Sequence, residues 1–145
     1  MKIVEVFAQD GKVVGSEWLN PAETIHRQLR PKMPGDYAAK MARVLKEARM
    51  ALVVEGDKVL GLAVYRWHEN TFDGVKFYVD DLVTDEAQRS KGVGHALIVH
   101  LEAVARKLGA SGLVLDSGTQ RTQAHKFYFR EGFVITSFNF KKLFS

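Results

Sequence analysis

Two short segments of the 145-residue chain combine residue types that suit the binding of a phosphate-bearing group donor. The first, called the phosphate turn below, follows an apolar stretch and reads Arg89-Ser90-Lys91-Gly92-Val93-Gly94-His95. Glycines let the backbone approach a ligand closely, and the start of a helix offers unpaired N–H groups to an anion. The run therefore predicts a phosphate-binding turn, although a plain strand-to-helix turn would also use glycine.

Glycine spacing separates this turn from two common nucleotide motifs. A Walker loop ends in Gly-Lys followed by Ser or Thr, which the run lacks. A dinucleotide fingerprint needs a third glycine three residues after Gly94, where Leu97 stands. The pattern that remains is Arg-x-x-Gly-x-Gly.

The second segment lies about 30 residues further along, after one apolar stretch, and reads Ala124-His-Lys-Phe-Tyr128-Phe-Arg-Glu-Gly132-Phe133. Together the two segments resemble those of the GNAT N-acetyltransferase superfamily. Its members carry V-x-x-x-x-R-x-x-G-x-G/A and, further on, A-x-x-x-Y-x-x-x-G-F. The resemblance covers about residues 50–134 and includes Val83 and Thr84 before the phosphate turn, with five residues between Val83 and Arg89 where the family pattern has four.

This resemblance implies that the chain uses acetyl-CoA, with its pyrophosphate on the phosphate turn and its pantetheine arm along the preceding strand. Many family members carry Asn where this chain has Arg121, so Arg121 either reaches the cofactor or lies in solvent. The implied cofactor-binding residues are Leu82, Val83, Thr84, Arg89, Ser90, Lys91, Gly92, Val93, Gly94, His95, Arg121 and Lys126.

The implied reaction is attack of a neutral amine on the thioester carbonyl, which needs a base, oxyanion stabilisation and a proton for the thiolate. Tyr128 matches the tyrosine that serves as general acid in the family. Asp80 and Asp81 are the first candidates for the base, and strand alternation predicts that they face opposite sides of the sheet. His68 and Glu69 are alternatives, and with Trp67 they are predicted to bind the acceptor amine.

Composition narrows the choice of mechanism and partner. The chain has no cysteine, which excludes disulfides, thiolate metal sites and a cysteinyl acyl-enzyme, so direct transfer is expected. The histidines lack metal-ligand spacing, and no metal is expected. The isoelectric point near 9.4 is typical of nucleic-acid-binding proteins, but no basic run or recognition-helix pattern supports that function. Without a membrane-length apolar run or a signal-peptide core, we expect a cytoplasmic protein that binds no membrane.

The elements that must position these residues are short strands and amphipathic helices. Residues 16–30 predict a weak helix interrupted by Pro21, Asp36 caps a second helix, and residues 51–67 predict a hairpin. Helices over about 92–108 and 122–131 each end at a glycine, and Phe133–Leu143 predicts one or two strands. The expected fold is α/β (α+β): a mixed, mostly antiparallel sheet of six to seven strands flanked by about four helices, GNAT-like, in one domain over residues 1–145.

We therefore expect an N-acetyltransferase that acts on a primary amine of a small molecule. The alternatives are a protein or peptide N-acetyltransferase, a non-catalytic CoA-binding module and a nucleic-acid-binding module. A homodimer is expected through the terminal segment, which could instead be an internal edge blunted by Lys141 and Lys142. Charge supports two ligands of opposite sign, because residues 50–87 carry 3 basic and 8 acidic side chains and residues 88–145 carry 9 and 3.

Overall fold

The computed structural model describes all 145 residues, Met1–Ser145, and they form two compact units, residues 1–114 and 115–145. The single domain expected over residues 1–145 therefore stays a prediction. The strands are β1 Lys2–Gln9, β2 Lys12–Val14, β3 Arg49–Glu55, β4 Lys58–Asn70, β5 Gly74–Thr84 and β6 Leu113–Leu115. The helices are α1 Leu19–Leu29, α2 Tyr37–Val44, α3 Val93–Lys107 and α4 Thr122–Arg130, with 3-10 turns at Ser16–Trp18 and Glu86–Gln88.

The six strands form one sheet in the order β2-β1-β3-β4-β5-β6, and the neighbours from β2 to β5 pair antiparallel. This confirms the predicted class, the strand number and the four helices. The predicted hairpin is β3–β4, where Glu55 pairs with Lys58 across a two-residue turn. None of the helices combines the length and apolarity that crossing a bilayer would require.

Both faces of the central strands β3 and β4 are covered. Alternate residues of β3, Met50, Leu52 and Val54, join one core cluster with residues of α1 and α2. Helix α3 packs against the same two strands and buries Leu97 and Leu101. Because β3 and β4 are apolar on both faces, their sequence reads as near-continuous hydrophobic runs.

Helix α1 begins two residues before Pro21, which therefore falls in the first turn. Backbone N–H groups of a first turn have no partner within the helix, so a proline there removes no hydrogen bond. The helix is thus continuous to Leu29, and Pro21 does not interrupt it. Helix α2 starts as expected at Asp36, whose carboxylate accepts from Ala39 N at 3.0 Å.

The terminal strands expected over Phe133–Leu143 are wrong, because the structure has no strand after β6. Strand backbone needs a neighbour with which to share hydrogen bonds, and no strand of this chain pairs with these residues. Helix α4 ends at Arg130, and Gly132 then reverses the chain with a φ of +91°. Phe133 N donates to Tyr128 O at 2.9 Å. The Gly-Phe pair of the second motif therefore closes this helix, with the Phe133 ring 5.5 Å from the Tyr128 ring.

Gly61 of β4 permits the close approach of α3 to the sheet. A Cβ at this position would lie 2.6 Å from Cγ1 of Val93 and 2.9 Å from the carbonyl oxygen of Val83. We expect Gly61→Ala to lower the free energy of unfolding by about 1–3 kcal/mol, because overpacked cores cost that much. Urea unfolding measures this, and Gly112→Ala is the matched control because a Cβ there meets open space. Equal stability of the two variants would contradict the prediction.

Candidate active site

The phosphate turn joins the end of β5 to the start of α3. Its backbone adopts positive φ at Ser90 (+67°) and at Gly92 (+80°), and α3 begins directly afterwards at Val93. No side chain caps this helix start, so its first N–H groups have no side-chain acceptor at the cap position. Space is open where a Cβ of Gly92 would stand. The turn therefore presents backbone donors and a positive helix end to an approaching anion.

Cationic side chains surround this helix start. Arg89 and Lys91 are both exposed, and Lys91 Nζ lies 3.4 Å from Oε1 of Gln88. Neither Arg89 nor Lys91 is buried in an ion pair, so both side chains can turn toward a phosphate. The residues present thus fit the pyrophosphate of CoA. The predicted pantetheine strand is the end of β5, where Leu82, Val83 and Thr84 are half-buried.

Gln28 of α1 holds the chain that leads into the phosphate turn, a role that no local sequence pattern indicates. Its amide nitrogen donates to Oδ1 of Asp85 at 3.1 Å, and its amide oxygen accepts from Glu86 N at 3.0 Å. Asp85 N donates to Leu60 O at 2.9 Å. Helix α1 and strand β4 therefore both fix the start of this segment.

Asp80 forms a β-bulge in β5, which overturns the expected orientation of the acidic pair. Val64 of β4 faces Asp81 and the next residue, Tyr65, faces Val79, so Asp80 has no partner across the ladder. A bulge breaks the two-residue alternation of side chains. The Asp81 side chain contacts α1, and Asp80 contacts Arg66, which shares a strand face with Val64. Both carboxylates thus point to the face covered by α1 and α2, and opposite faces were a wrong expectation.

Asp81 is the centre of a hydrogen-bonded network with α1 and α2. It accepts from Nε2 of His26 at 2.7 Å and from Nε of Arg30 at 2.8 Å. His26 is buried, and its Nδ1 lies 2.8 Å from the hydroxyl of Tyr37. Burial acts to raise the pKa of Asp81, but the hydrogen bonds and charges of His26 and Arg30 outweigh it, and the pKa is lowered. Burial raises the pKa of Tyr37, and the Glu23 and Asp81 charges raise it further.

Asp80 is more exposed and has a different partner. Its Oδ2 accepts from Nε of Arg66 at 2.8 Å, and its backbone carbonyl accepts from Nη2 of Arg30 at 3.0 Å. Arg30 therefore contacts both acidic residues. Arg30 directly follows α1 and lies four residues after His26, and its backbone N still donates to His26 O at 3.0 Å, so the two residues lie on one side of this helix end. That spacing is the only trace of the network in the sequence, and it does not name Asp81 as the partner.

A cleft of about 480 Å³ opens beside Asp81, between α1, α2 and the loop that joins them. Its walls are partly apolar, with Met33, Met41 and Val44, and partly cationic, with Arg30 and Lys32 among others. Cavities of this size commonly hold small molecules. The sequence placed no functional residue on this loop.

The residues predicted to bind the acceptor lie on β4, outside the lining of this cleft. Trp67, His68 and Glu69 are exposed near the end of the strand, and none of them lines the cleft at Asp81. Trp67 stacks on Tyr65, with 6.1 Å between ring centroids, and the guanidinium of Arg49 lies 5.5 Å from its ring. Their role in binding the acceptor stays a prediction.

The second unit contains Tyr128, Arg121 and Lys126. Tyr128 is buried on α4, Lys126 is exposed, and Arg121 immediately precedes the helix. Burial raises the pKa of Tyr128, and the charge and hydrogen bond of Arg121 act in the opposite direction. Seven residues are about two helical turns, so Arg121 and Tyr128 share a helix face. Arg121 therefore has a local partner in the Tyr128 hydroxyl, which the sequence did not reveal.

The histidines considered as metal ligands are used separately. His100 Nε2 lies 2.7 Å from Oε1 of Glu5, and His125 Nε2 lies 2.9 Å from the carbonyl oxygen of Gly118. The 145 residues contain no cluster of three or more His, Asp or Glu side chains arranged to hold a metal ion.

Known proteins similar to this chain include two curated acetyltransferases. The chain is 43% identical over 70 residues to an uncharacterized N-acetyltransferase, YhdJ, of Bacillus subtilis (strain 168), a match that covers 48% of this chain and 49% of the relative. It is 34% identical over 64 residues to aminoalkylphosphonate N-acetyltransferase of Salmonella typhimurium (strain LT2), covering 44% of this chain and 42% of the relative. Each match spans about half the length of the relative or less.

Comparison of folds and family profiles extends the similarity to most of the chain. An aminoglycoside N-acetyltransferase solved in complex with CoA superposes with a TM-score of 0.82, at 16% identity, over 98% of this chain and 93% of that one. At this identity the likeness shows the fold. The profile of the acetyltransferase (GNAT) family matches residues 16–133, which contain the phosphate turn, the acidic pair and Tyr128. The chain therefore belongs to the GNAT acetyltransferase family.

Proposed function

We propose that this chain transfers an acetyl group from acetyl-CoA directly to a primary amine of a small molecule. The observation that carries the proposal is the phosphate turn, with positive φ at Ser90 and Gly92 and no side-chain cap on α3. Membership of the GNAT family supports acetyl-CoA as the donor. The 480 Å³ cleft beside Asp81 supports a small acceptor, since its volume falls within the usual range for such sites.

Acetyl-CoA supplies the acetyl group in activated form, as a thioester. In the proposed reaction the amine nitrogen bonds to the acetyl carbon, the carbon–sulfur bond breaks, and the thiolate takes a proton. The backbone donors of the phosphate turn hold the pyrophosphate, and Arg89 and Lys91 add positive charge beside it. The chain contains no cysteine that could form an acyl-enzyme, which favours direct transfer in a ternary complex.

Tyr128 is proposed as the general acid that protonates the departing thiolate. Burial raises its pKa, so the hydroxyl keeps its proton at neutral pH, and Arg121 stabilises the oxyanion that forms when the proton leaves. Asp81 is proposed to orient Arg30 and His26 at the cleft, because both of its oxygens already accept hydrogen bonds. Both oxygens of Asp80 accept from Arg66, but its side chain is 32% exposed against 14% for Asp81, so Asp80 is proposed to accept the amine proton through water.

The oligomeric state, the location and nucleic-acid binding complete the proposal. A homodimer stays a prediction, and the surface that a second copy would cover is the C-terminal segment 134–144. Its large apolar residues are more than 70% exposed, namely Val134, Ile135, Phe138, Phe140, Leu143 and Phe144. A cytoplasmic location and the lack of nucleic-acid binding also stay predictions.

The donor claim is tested first by binding. We expect CoA at a hundred times its dissociation constant to stabilise the chain by about 2.7 kcal/mol, measured as a rise in the melting temperature. Gly92→Val should reduce this rise, because a β-branched residue resists a φ of +80° and would change the backbone conformation that presents the N–H groups of the turn. Gly74→Val is the matched control, at a positive φ at the first residue of β5. A full CoA response from Gly92→Val would contradict the assignment of the turn.

Activity is then measured as thiol release from acetyl-CoA with a panel of amines, polyamines, aminoglycosides, amino acids, aminophosphonates and short peptides. Release that depends on a small amine supports the proposed function. Release with peptides alone would make the chain a peptide N-acetyltransferase instead. CoA binding without release for any acceptor would contradict catalysis and leave a CoA-binding module.

A further inference from the structure

The charges that line the cleft beside Asp81 are mostly positive. Arg30, Lys32 and Lys40 line it, and Asp81 is its single acidic residue, so the lining carries a formal excess of two positive charges. The charge of residues 50–87, with 3 basic and 8 acidic side chains, indicates acidic surroundings for an amine acceptor instead. The cleft's cations come from α1, α2 and their connecting loop, which lie outside that acidic stretch.

The negative charge of Asp81 is already compensated inside the protein. Arg30 donates to Oδ1 and His26 to Oδ2, so Asp81 has little capacity left for a substrate ammonium group. The two lysines remain available. The ion pairs of this region join Arg27 to Glu23 and Arg30 to Asp81, and they include neither Lys32 nor Lys40. Each lysine can therefore form a charge-assisted hydrogen bond with an anion that enters the cleft.

A purely cationic acceptor would be repelled by this lining, whereas an acceptor that also carries an anion would be attracted. The positive surroundings have a second consequence for catalysis. Nearby like charges lower the pKa of an ammonium group, which favours the neutral amine that must attack the thioester. Positive charge at the cleft therefore serves both the binding of an anion and the deprotonation of the amine, whose proton passes to water.

We propose that the acceptor is a small amine that also bears a carboxylate or a phosphonate, and that Lys32 and Lys40 bind this anionic group in the cleft. Met33, Met41 and Val44 provide an apolar wall for the carbon skeleton between the amine and the anion. This assignment rests on the proposed acetyl transfer and names the class of acceptor for it. Carboxylates and phosphonates share the negative oxygens that the lysines would recognise, and the experiment separates them.

Matched acceptors test the role of the anion. Thiol release from acetyl-CoA is measured with leucine against leucinamide, and with 1-aminoethylphosphonate against ethylamine. We expect kcat/KM to be at least tenfold higher for the anionic member of one pair or both, and the pair with the larger ratio identifies the preferred group. Equal or better use of the neutral members would overturn the anionic acceptor while leaving acetyl transfer intact. No release with any amine, although CoA binds, would overturn both.

Lysine variants test where the anion binds. Lys32 is exposed and Lys40 half-buried, so we expect the double variant Lys32→Gln/Lys40→Gln to fold with an unchanged melting temperature. It should lose about tenfold in kcat/KM for the anionic acceptor, mainly through a higher KM, and this loss should be several times larger than any loss with the neutral acceptor. Lys58→Gln, at the exposed first residue of β4, is the control and should change kcat/KM for neither acceptor. An undiminished preference for the anionic acceptor in the double variant would overturn the site.

Discussion

Tyr128→Phe is expected to lower kcat about 100-fold with a nearly unchanged affinity for CoA. General acids contribute rate factors of about 10²–10⁴, and the phenylalanine ring keeps the packing of the tyrosine while removing its proton. The residue is buried on α4, and its ring lies 5.6 Å from Phe127 and 5.5 Å from Phe133, so loss of the hydroxyl leaves the aromatic contacts in place. Steady-state kinetics and a CoA titration measure the two quantities separately.

Tyr78→Phe is the matched control, because it removes a hydroxyl from β5 at a tyrosine outside the proposed machinery. We expect it to keep wild-type turnover. Arg121→Gln should give an intermediate loss, since the guanidinium favours the ionised form of Tyr128 and its removal allows the pKa of Tyr128 to rise further. Wild-type turnover in Tyr128→Phe would refute the general-acid assignment.

Asp81→Ala is expected to lower the free energy of unfolding by about 1–3 kcal/mol. The Asp81 side chain is only 14% exposed, and its removal leaves Nε2 of the buried His26 without its acceptor, a loss that typically costs this much. The adjacent carboxylate provides the control. Asp80→Ala removes a more exposed pair with Arg66 and should cost no more than about 1 kcal/mol. Chemical denaturation at neutral pH compares the two, and equal losses would contradict the network at Asp81.

The same network has a predictable dependence on pH. The folded chain holds the pKa of Asp81 below its ordinary value, so this carboxyl stabilises the fold at a pH above its unfolded pKa. That contribution is lost as the pH falls through the folded pKa. The stability gap between the wild type and Asp81→Asn should therefore narrow as the pH is lowered from about 5 toward about 3. A gap that stays constant over this range would show that Asp81 is not ionised in the fold.

The activities of Asp80→Asn and Asp81→Asn test which of the two residues accepts the proton of the amine. If Asp80 accepts the amine proton through water, Asp80→Asn should lose the acidic limb of the pH–rate profile that the wild type shows. Asp81→Asn, where it folds, should keep that limb and instead raise KM for the acceptor, because Arg30 and His26 lose their anchor. The two variants therefore separate a base from a positioning residue.

Local patterns in the sequence were enough for most of the elements and for the two motifs that resemble those of the family. The Gly92 turn, the Asp36 cap, the two-residue hairpin and the Gly132 helix end each depend on residues close together in the chain. Helix and strand periods, caps and turns are set by such short-range chemistry. The expected terminal strands failed because a strand also requires a partner, and apolar alternation in Phe138 and Phe140 does not say which strand that would be.

The cleft proposed to bind the acceptor was decided by tertiary structure. Asp81 and His26 are 55 residues apart, and no local pattern predicts that α1 brings His26 and Arg30 onto this carboxylate. The bulge at Asp80 is equally hidden, because it arises from the register of β4 against β5 and reverses the orientation that simple alternation predicts. The sequence alone thus identified the family, and its glycines predicted the turn that precedes α3. Only the packing of α1 and α2 over the sheet decided the cationic cleft, because contacts between distant segments depend on how whole faces pack together.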